Sequence, residues 1–291
     1  MIATHRRIAR QPIVIATLGG VLLLGLVAWP GTPVPAPGLV SSGSAATPSP
    51  AGAAAPAASS VPDSTPPKAS SAPPQGPNAV AALFAVRPKV DVNLLRNPSA
   101  AFISEQTKEW CAVAGTQMVL AMYGKADLSP AFQAALAGRI GEWETPADSL
   151  NGKWGPSAIV KALEAYGVRG YEVRTYRTRA AALRDAALAI SSEHAPVLLM
   201  AWYGAHTWVM TGYEATADPT VYGDGTVTGT YILDPWYPRV STIWGPSDPP
   251  GAFQDTAEMI RNYLPWRRPE GHYPGRDGRF IAIVPTRPLE R

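Results

Sequence analysis

The chain holds one cysteine in 291 residues, Cys111, within the stretch "SEQTKEWCAVAGTQMVLAMYG" at 104–124. A lone cysteine is more often a small buried hydrophobe than a reactive group, so its surroundings must decide. Cys111 follows Trp110 and opens an apolar run with helical character. Its sulfur would then sit at a helix N-terminus, beside backbone N–H groups without intrahelical partners and at the positive end of the dipole. Both features favour a thiolate, the nucleophilic form. A thiolate that attacks acyl groups also needs an acid–base partner, a group orienting that partner, and donors for an oxyanion.

Three histidines lie beyond residue 80. His194, in "SSEHAPV", sits near a helix end and reads as a cap. His272 falls in the glycine-rich "EGHYPGRDGR" and reads as solvated. His206 starts the strand-like "HTWVMTGY" directly after the turn "YGA", where it is either a satisfied core histidine or a general base. Asp234 tips the balance, because it ends the strand-like "TYILD" and Pro235 stops further pairing. The two segments are joined by "EATADPTVYGDGTVTG", whose Asp224-Gly225 pair is a hairpin signal. Antiparallel neighbours would set the start of the first strand beside the end of the second, and His206 beside Asp234. A carboxylate so placed orients an imidazole. Gln106, shortly before the cysteine, could offer its amide to the oxyanion alongside the helix N-terminus.

The elements that must position these groups are legible in outline. Helices are predicted over 111–123, 130–140, 156–166 and 179–191. Gly155-Pro156 opens the third, and Gly124 and Gly167 follow the ends of the first and third. Strands are predicted over 196–203, 206–213, 230–234 and 279–285, with an amphipathic helix at 253–264. Helices first and antiparallel strands afterwards predict an α+β fold with segregated layers.

With these motifs in order, "QTKEWCAVAGTQMVLAMYG", "GAHTWVMTGY" and "YILDPW", residues 88–285 resemble a papain-like cysteine peptidase. The closest type is the bacteriocin-processing (double-glycine leader) peptidase and its stand-alone relatives. The resemblance implies a papain-like fold, with Gln106 in the oxyanion hole, Cys111 as nucleophile, His206 as acid–base and Asp234 orienting it. It also implies a peptide or protein substrate, with the cell envelope as one source. Many relatives carry Gly after the cysteine, where this chain has Ala112. Transporter domains are absent from this sequence, so bacteriocin maturation does not follow. An acyl transferase of transpeptidase or transglutaminase type shares the same parts, and a tethered binding module without turnover remains a third reading.

Residues 1–30 carry Arg6, Arg7 and Arg10 ahead of an uncharged apolar run from Ile13 to Trp29. At roughly 17 residues this run is at the short end of a bilayer-spanning helix. It predicts a single-pass signal-anchor with the bulk of the chain extracytoplasmic. A cleaved signal and secretion is the alternative, opposed by Pro37 after the candidate site at Ala36. Residues 31–79, rich in Pro, Ala and Ser, predict a disordered linker. The domain proper is assigned to 80–291. The three N-terminal arginines account for the whole net charge of +3, so no basic face recommends a nucleic-acid partner. No metal or cofactor motif is apparent. Trp110, Trp202, Trp208 and Trp236 cluster near the motifs, either as packing or as a cleft lining.

Overall fold

The computed structural model describes residues 87–149 and 154–288. The expected anchor at 1–30 and linker at 31–79 lie outside these. Among the described residues no helix is long and apolar enough to cross a membrane. The expectation of a single-pass membrane protein is corrected accordingly, since it has no structural support.

Antiparallel pairing builds one seven-stranded sheet. Its strands are β1 (Val90–Asn93), β2 (Tyr171–Tyr176), β3 (Val197–Ala201), β4 (His206–Ala215), β5 (Val227–Leu233), β8 (Ala252–Asp255) and β9 (Phe280–Pro285). The order is β2-β9-β3-β4-β5-β8, and β1 shares one edge of β4 with β3. A separate small ribbon pairs β6 (Val240–Ser241) with β7 (Gly245–Pro246). The helices are α1 (Cys111–Met122), α2 (Pro130–Gly138), α3 (Pro156–Ala165), α4 (Arg179–Glu193) and α5 (Thr256–Asn262).

The α+β class is as expected, but the layering is not. Along β3, Leu198 and Met200 join a core with α1 and α3, while Val197, Leu199 and Ala201 join a second core with α4. β9 splits likewise, Ile281 and Ile283 to the first core and Phe280, Ala282 and Val284 to the second. Alternate side chains of a strand face opposite ways, so a helix on each face is needed to cover both sets. All five β3 residues are buried. At about 1.5–3 kcal/mol for each large apolar side chain, such a strand is stable only inside the sheet. That explains why the helices are not gathered on one face.

The helix starts follow local chemistry. Ser129 and Thr178 accept from Phe132 N and Ala181 N at the starts of α2 and α4, the usual hydroxyl cap. His194 closes α4 in the left-handed conformation, φ 51°, as its place near a helix end suggested. The expected helix at 253–264 is corrected. Ala252–Asp255 is instead the edge strand β8 on β5, with Tyr231 and Phe253 as cross-strand partners. Asp255 then accepts Glu258 N and caps α5. β1 and β2 were not anticipated. β1 is four residues long and exposed on alternate residues, while β2 is interrupted by the charged Glu172 and Arg174.

Candidate active site

Helix α1 begins at Cys111 without any side-chain cap, and its first intrahelical bond runs from Ala114 N to the Trp110 carbonyl. The N–H groups of its first turn therefore have no intrahelical partner. The helix lies tightly on β4. A Cβ on Gly115 would meet Thr207 Cγ2 at 3.2 Å, with Leu198 and Val209 just beyond. Glycine at that contact sets the distance between the cysteine's helix and the histidine's strand.

The expected hairpin is present. β4 and β5 pair antiparallel, Val209 opposite Leu233, so the start of β4 meets the end of β5. There His206 Nε2 lies 2.6 Å from Asp234 Oδ1. The two side chains are only 3% and 7% exposed. Asp234 Oδ1 also accepts Trp236 N at 2.9 Å, which fixes the carboxylate to its own turn. Burial by itself would lower the His206 pKa, but the charge and hydrogen bond of Asp234, with a contribution from Cys111, outweigh it and raise the ring to about 10. The imidazole therefore holds its proton through neutral pH.

The turn before His206 is strained. Trp202, Tyr203 and Gly204 have φ of 51°, 61° and 84° in succession. Left-handed conformations cost non-glycine residues on the order of 1–3 kcal/mol each and persist only where packing enforces them. Here the Trp202 ring stacks on His206, centroids 4.1 Å apart, and Trp244 stacks on Trp202 at 5.6 Å. Trp236 meets His206 edge-on at 6.4 Å. Trp208 is buried in the second core and Trp110 packs on the first. The four tryptophans singled out in the sequence thus pack the site rather than line its cleft.

The cleft is a cavity of about 570 Å³ into which Cys111 and His206 open, walled by Trp154, Trp266, Arg267 and Arg268. Ala112 is also in its lining, next to the nucleophile in the chain. His272 is exposed, as expected, and lies outside the cleft lining.

Gln106 is not brought into this group. Its side chain is exposed and donates to the Ser104 carbonyl at 3.2 Å. Its neighbour Glu105 takes that place. A Glu105 carboxylate oxygen, a His206 ring nitrogen and Cys111 Sγ all lie within 4.8 Å of one another. Glu105 is 2% exposed. Burial pushes its carboxyl up and Asp234 adds to that, while His206 and Arg239 pull it down, leaving it at about 7. Sulfur, nitrogen and oxygen donors of this kind also suit a divalent cation. The helix N-terminus and the Arg239 guanidinium, however, put positive charge on the same spot and favour an anion there.

The loop carrying Glu105 is held by residues the sequence did not flag. Arg239 donates to Glu105 Oε1 at 3.0 Å and to the carbonyls of Glu105 and Gln106 at 2.9 and 3.2 Å. Gln133, fully buried, accepts Gln106 N at 2.7 Å and donates to Ser104 O and Gln117 Oε1. A fully buried glutamine in an alanine-rich helix is the signal that could have pointed here, since buried amides need partners.

No protein-family model and no curated protein matches this chain. Among solved structures it is similar to a double-glycine motif protease from an AMS/PCAT transporter, crystallised with its leader peptide. Identity is 19% over 64% of this chain and 91% of that one, with a TM-score of 0.34. It is also similar to a putative C39-like peptidase from Bacillus anthracis, at 12% identity over 68% and 99% of the two chains and a TM-score of 0.35. The values are low, and what the site can do rests on its own geometry.

Proposed function

We propose that residues 80–291 form a papain-like thiol hydrolase that cleaves peptide or amide bonds, with Cys111 as nucleophile, His206 as acid–base and Asp234 as its orienting carboxylate. One observation carries the reading: His206, paired with buried Asp234 at 2.6 Å, has a ring nitrogen within 4.8 Å of the sulfur of a cysteine at an uncapped helix N-terminus. A structural cysteine needs none of these partners. Cys111 Sγ attacks the substrate carbonyl, and the first-turn N–H groups of α1 receive the developing oxyanion. His206, protonated, passes its proton to the leaving amine as the carbon–nitrogen bond breaks, leaving a thioester on Cys111. A water molecule, deprotonated by His206, then releases the acid. Asp234 holds the ring in place and stabilises its charge through both steps. The cavity, at about 570 Å³, falls within the ~300–1,000 Å³ typical of ligand clefts.

The test is incubation with a mixed peptide library, followed by mass-spectrometric search for new termini. Cleavage by the wild type and none by Cys111→Ala supports the reading. Equal cleavage by both, or none by either, overturns it, and products joined to added amines would assign an acyl transferase instead.

A further inference from the structure

The mechanism above makes no use of Glu105, a buried carboxyl at the reacting sulfur. One of its oxygens, Oε1, takes the Arg239 guanidinium at 3.0 Å. The other, Oε2, is buried and has no hydrogen-bond partner. Leaving a buried polar atom unpaired costs about 1–3 kcal/mol, more if charged, and one oxygen of this carboxyl lies within 4.8 Å of Cys111 Sγ. A carboxylate there would repel a developing oxyanion, whereas a neutral acid has a proton to donate.

We propose that Glu105 acts as a neutral acid, donating its carboxyl O–H to the oxyanion that forms when Cys111 attacks a carbonyl. This rests on the thiol-hydrolase reading and deepens it. The proton stays on Glu105 while the tetrahedral intermediate lasts, and the hydrogen bond is released when the carbon–leaving-group bond breaks. The charged and titratable groups facing it are Arg239 from the segment after β5, His206 at the start of β4, Asp234 at the end of β5 and Cys111 of α1. Arg239 and His206 favour its anion, burial and Asp234 its acid, and the balance stands at about 7. The acid form is therefore abundant in mildly acidic solution and scarce in alkaline. The resulting hydrolase is strongest below neutrality.

Two rates on the intact protein, measured between about pH 5.5 and 8.5, separate this role from the nucleophile's own. Alkylation of Cys111 by iodoacetamide displaces iodide and forms no oxyanion. Acylation by p-nitrophenyl acetate forms the sulfur–acyl bond through an oxyanion and expels p-nitrophenolate. The ratio of acylation to alkylation should fall about tenfold per pH unit above the Glu105 midpoint. In Glu105→Gln, whose amide donates at every pH, the ratio should be flat. In Arg239→Met, which removes a charge favouring the anion, the fall should move to higher pH. A wild-type ratio that is flat, or a Glu105→Gln ratio that falls as the wild type's does, overturns the proposal. If Glu105→Gln does not fold, the wild-type curve and its displacement in Arg239→Met decide. Alkylation that behaves as a free thiol's would overturn the hydrolase reading together with this one. A flat ratio with accelerated alkylation removes Glu105 alone.

Discussion

Replacing Asp234 by Asn tests the physical centre of the site. Asn keeps an oxygen for the Trp236 N–H and for the His206 ring, so the change removes charge and little shape. In the native protein His206 is raised from 6.5 to about 10, against a burial effect that by itself would lower it. At about 1.36 kcal/mol per pKa unit, that displacement amounts to at most about 5 kcal/mol. Measured losses on breaking buried ion pairs run at about 3–5 kcal/mol, and the two figures agree because both groups are almost fully buried. The sign follows from which state binds the proton. The folded protein holds it more tightly than the unfolded chain, so the stabilisation is complete below about pH 6.5 and is lost as pH rises toward 10. Without Asp234, burial governs and the ring is neutral. Denaturant unfolding of both proteins at about pH 6, 8 and 10 should show a gap of about 3–5 kcal/mol at the lowest pH that narrows at each step. A gap that is constant, or that widens with pH, would refute the argument that Asp234 acts by holding a charged imidazole.

Alkylation of Cys111 by iodoacetamide at about pH 6 should exceed that of a free cysteine peptide at least tenfold and lose this advantage in His206→Ala; equal rates would leave the thiol structural. Gln106→Ala should alter acylation by less than about threefold, because its amide faces Ser104 and a surface polar change is usually worth under ~0.5 kcal/mol; a hundredfold loss would return it to the oxyanion site. Gly204→Ala should destabilise the protein by at least ~1–3 kcal/mol, since φ is +84° and the added Cβ would sit 2.2 Å from the Trp266 ring; an unchanged melting temperature would contradict this. Asp148→Ala should cost about 3 kcal/mol in denaturant unfolding. Asp148 accepts Ser157 N and Ala158 N at the start of α3 and pairs with Arg276, so a loss below ~1 kcal/mol would show that the cap and pair are dispensable.

Much of the scaffold was legible in residue order. The starts of α2 to α4 agree with prediction because caps and prolines act within a few residues, and α1, which has no side-chain cap, starts where its apolar run does. The β4–β5 hairpin was legible because a turn signal flanked by apolar runs leaves one antiparallel partner, and the His206–Asp234 contact follows from that pairing alone. The edge strand at 252–255 was not legible, because its periodicity merges with the helix that follows and only pairing to β5 separates them. Helices on both faces of the sheet could not be read either, since an apolar run such as "VLLMA" shows that both faces are covered but not by what.

The amino-acid order by itself determined that one cysteine would start a helix and that one histidine and one aspartate would meet at a hairpin's end. Those are local facts of apolar patterning, turn chemistry and register. Tertiary structure alone decided which of the adjacent Glu105 and Gln106 faces the sulfur. Arg239 comes from more than a hundred residues away in the chain, and Gln133 from a different helix. Together they grip the loop and turn Glu105 inward and Gln106 out. Adjacent side chains on a loop cannot both face the sulfur, and only partners distant in sequence choose between them.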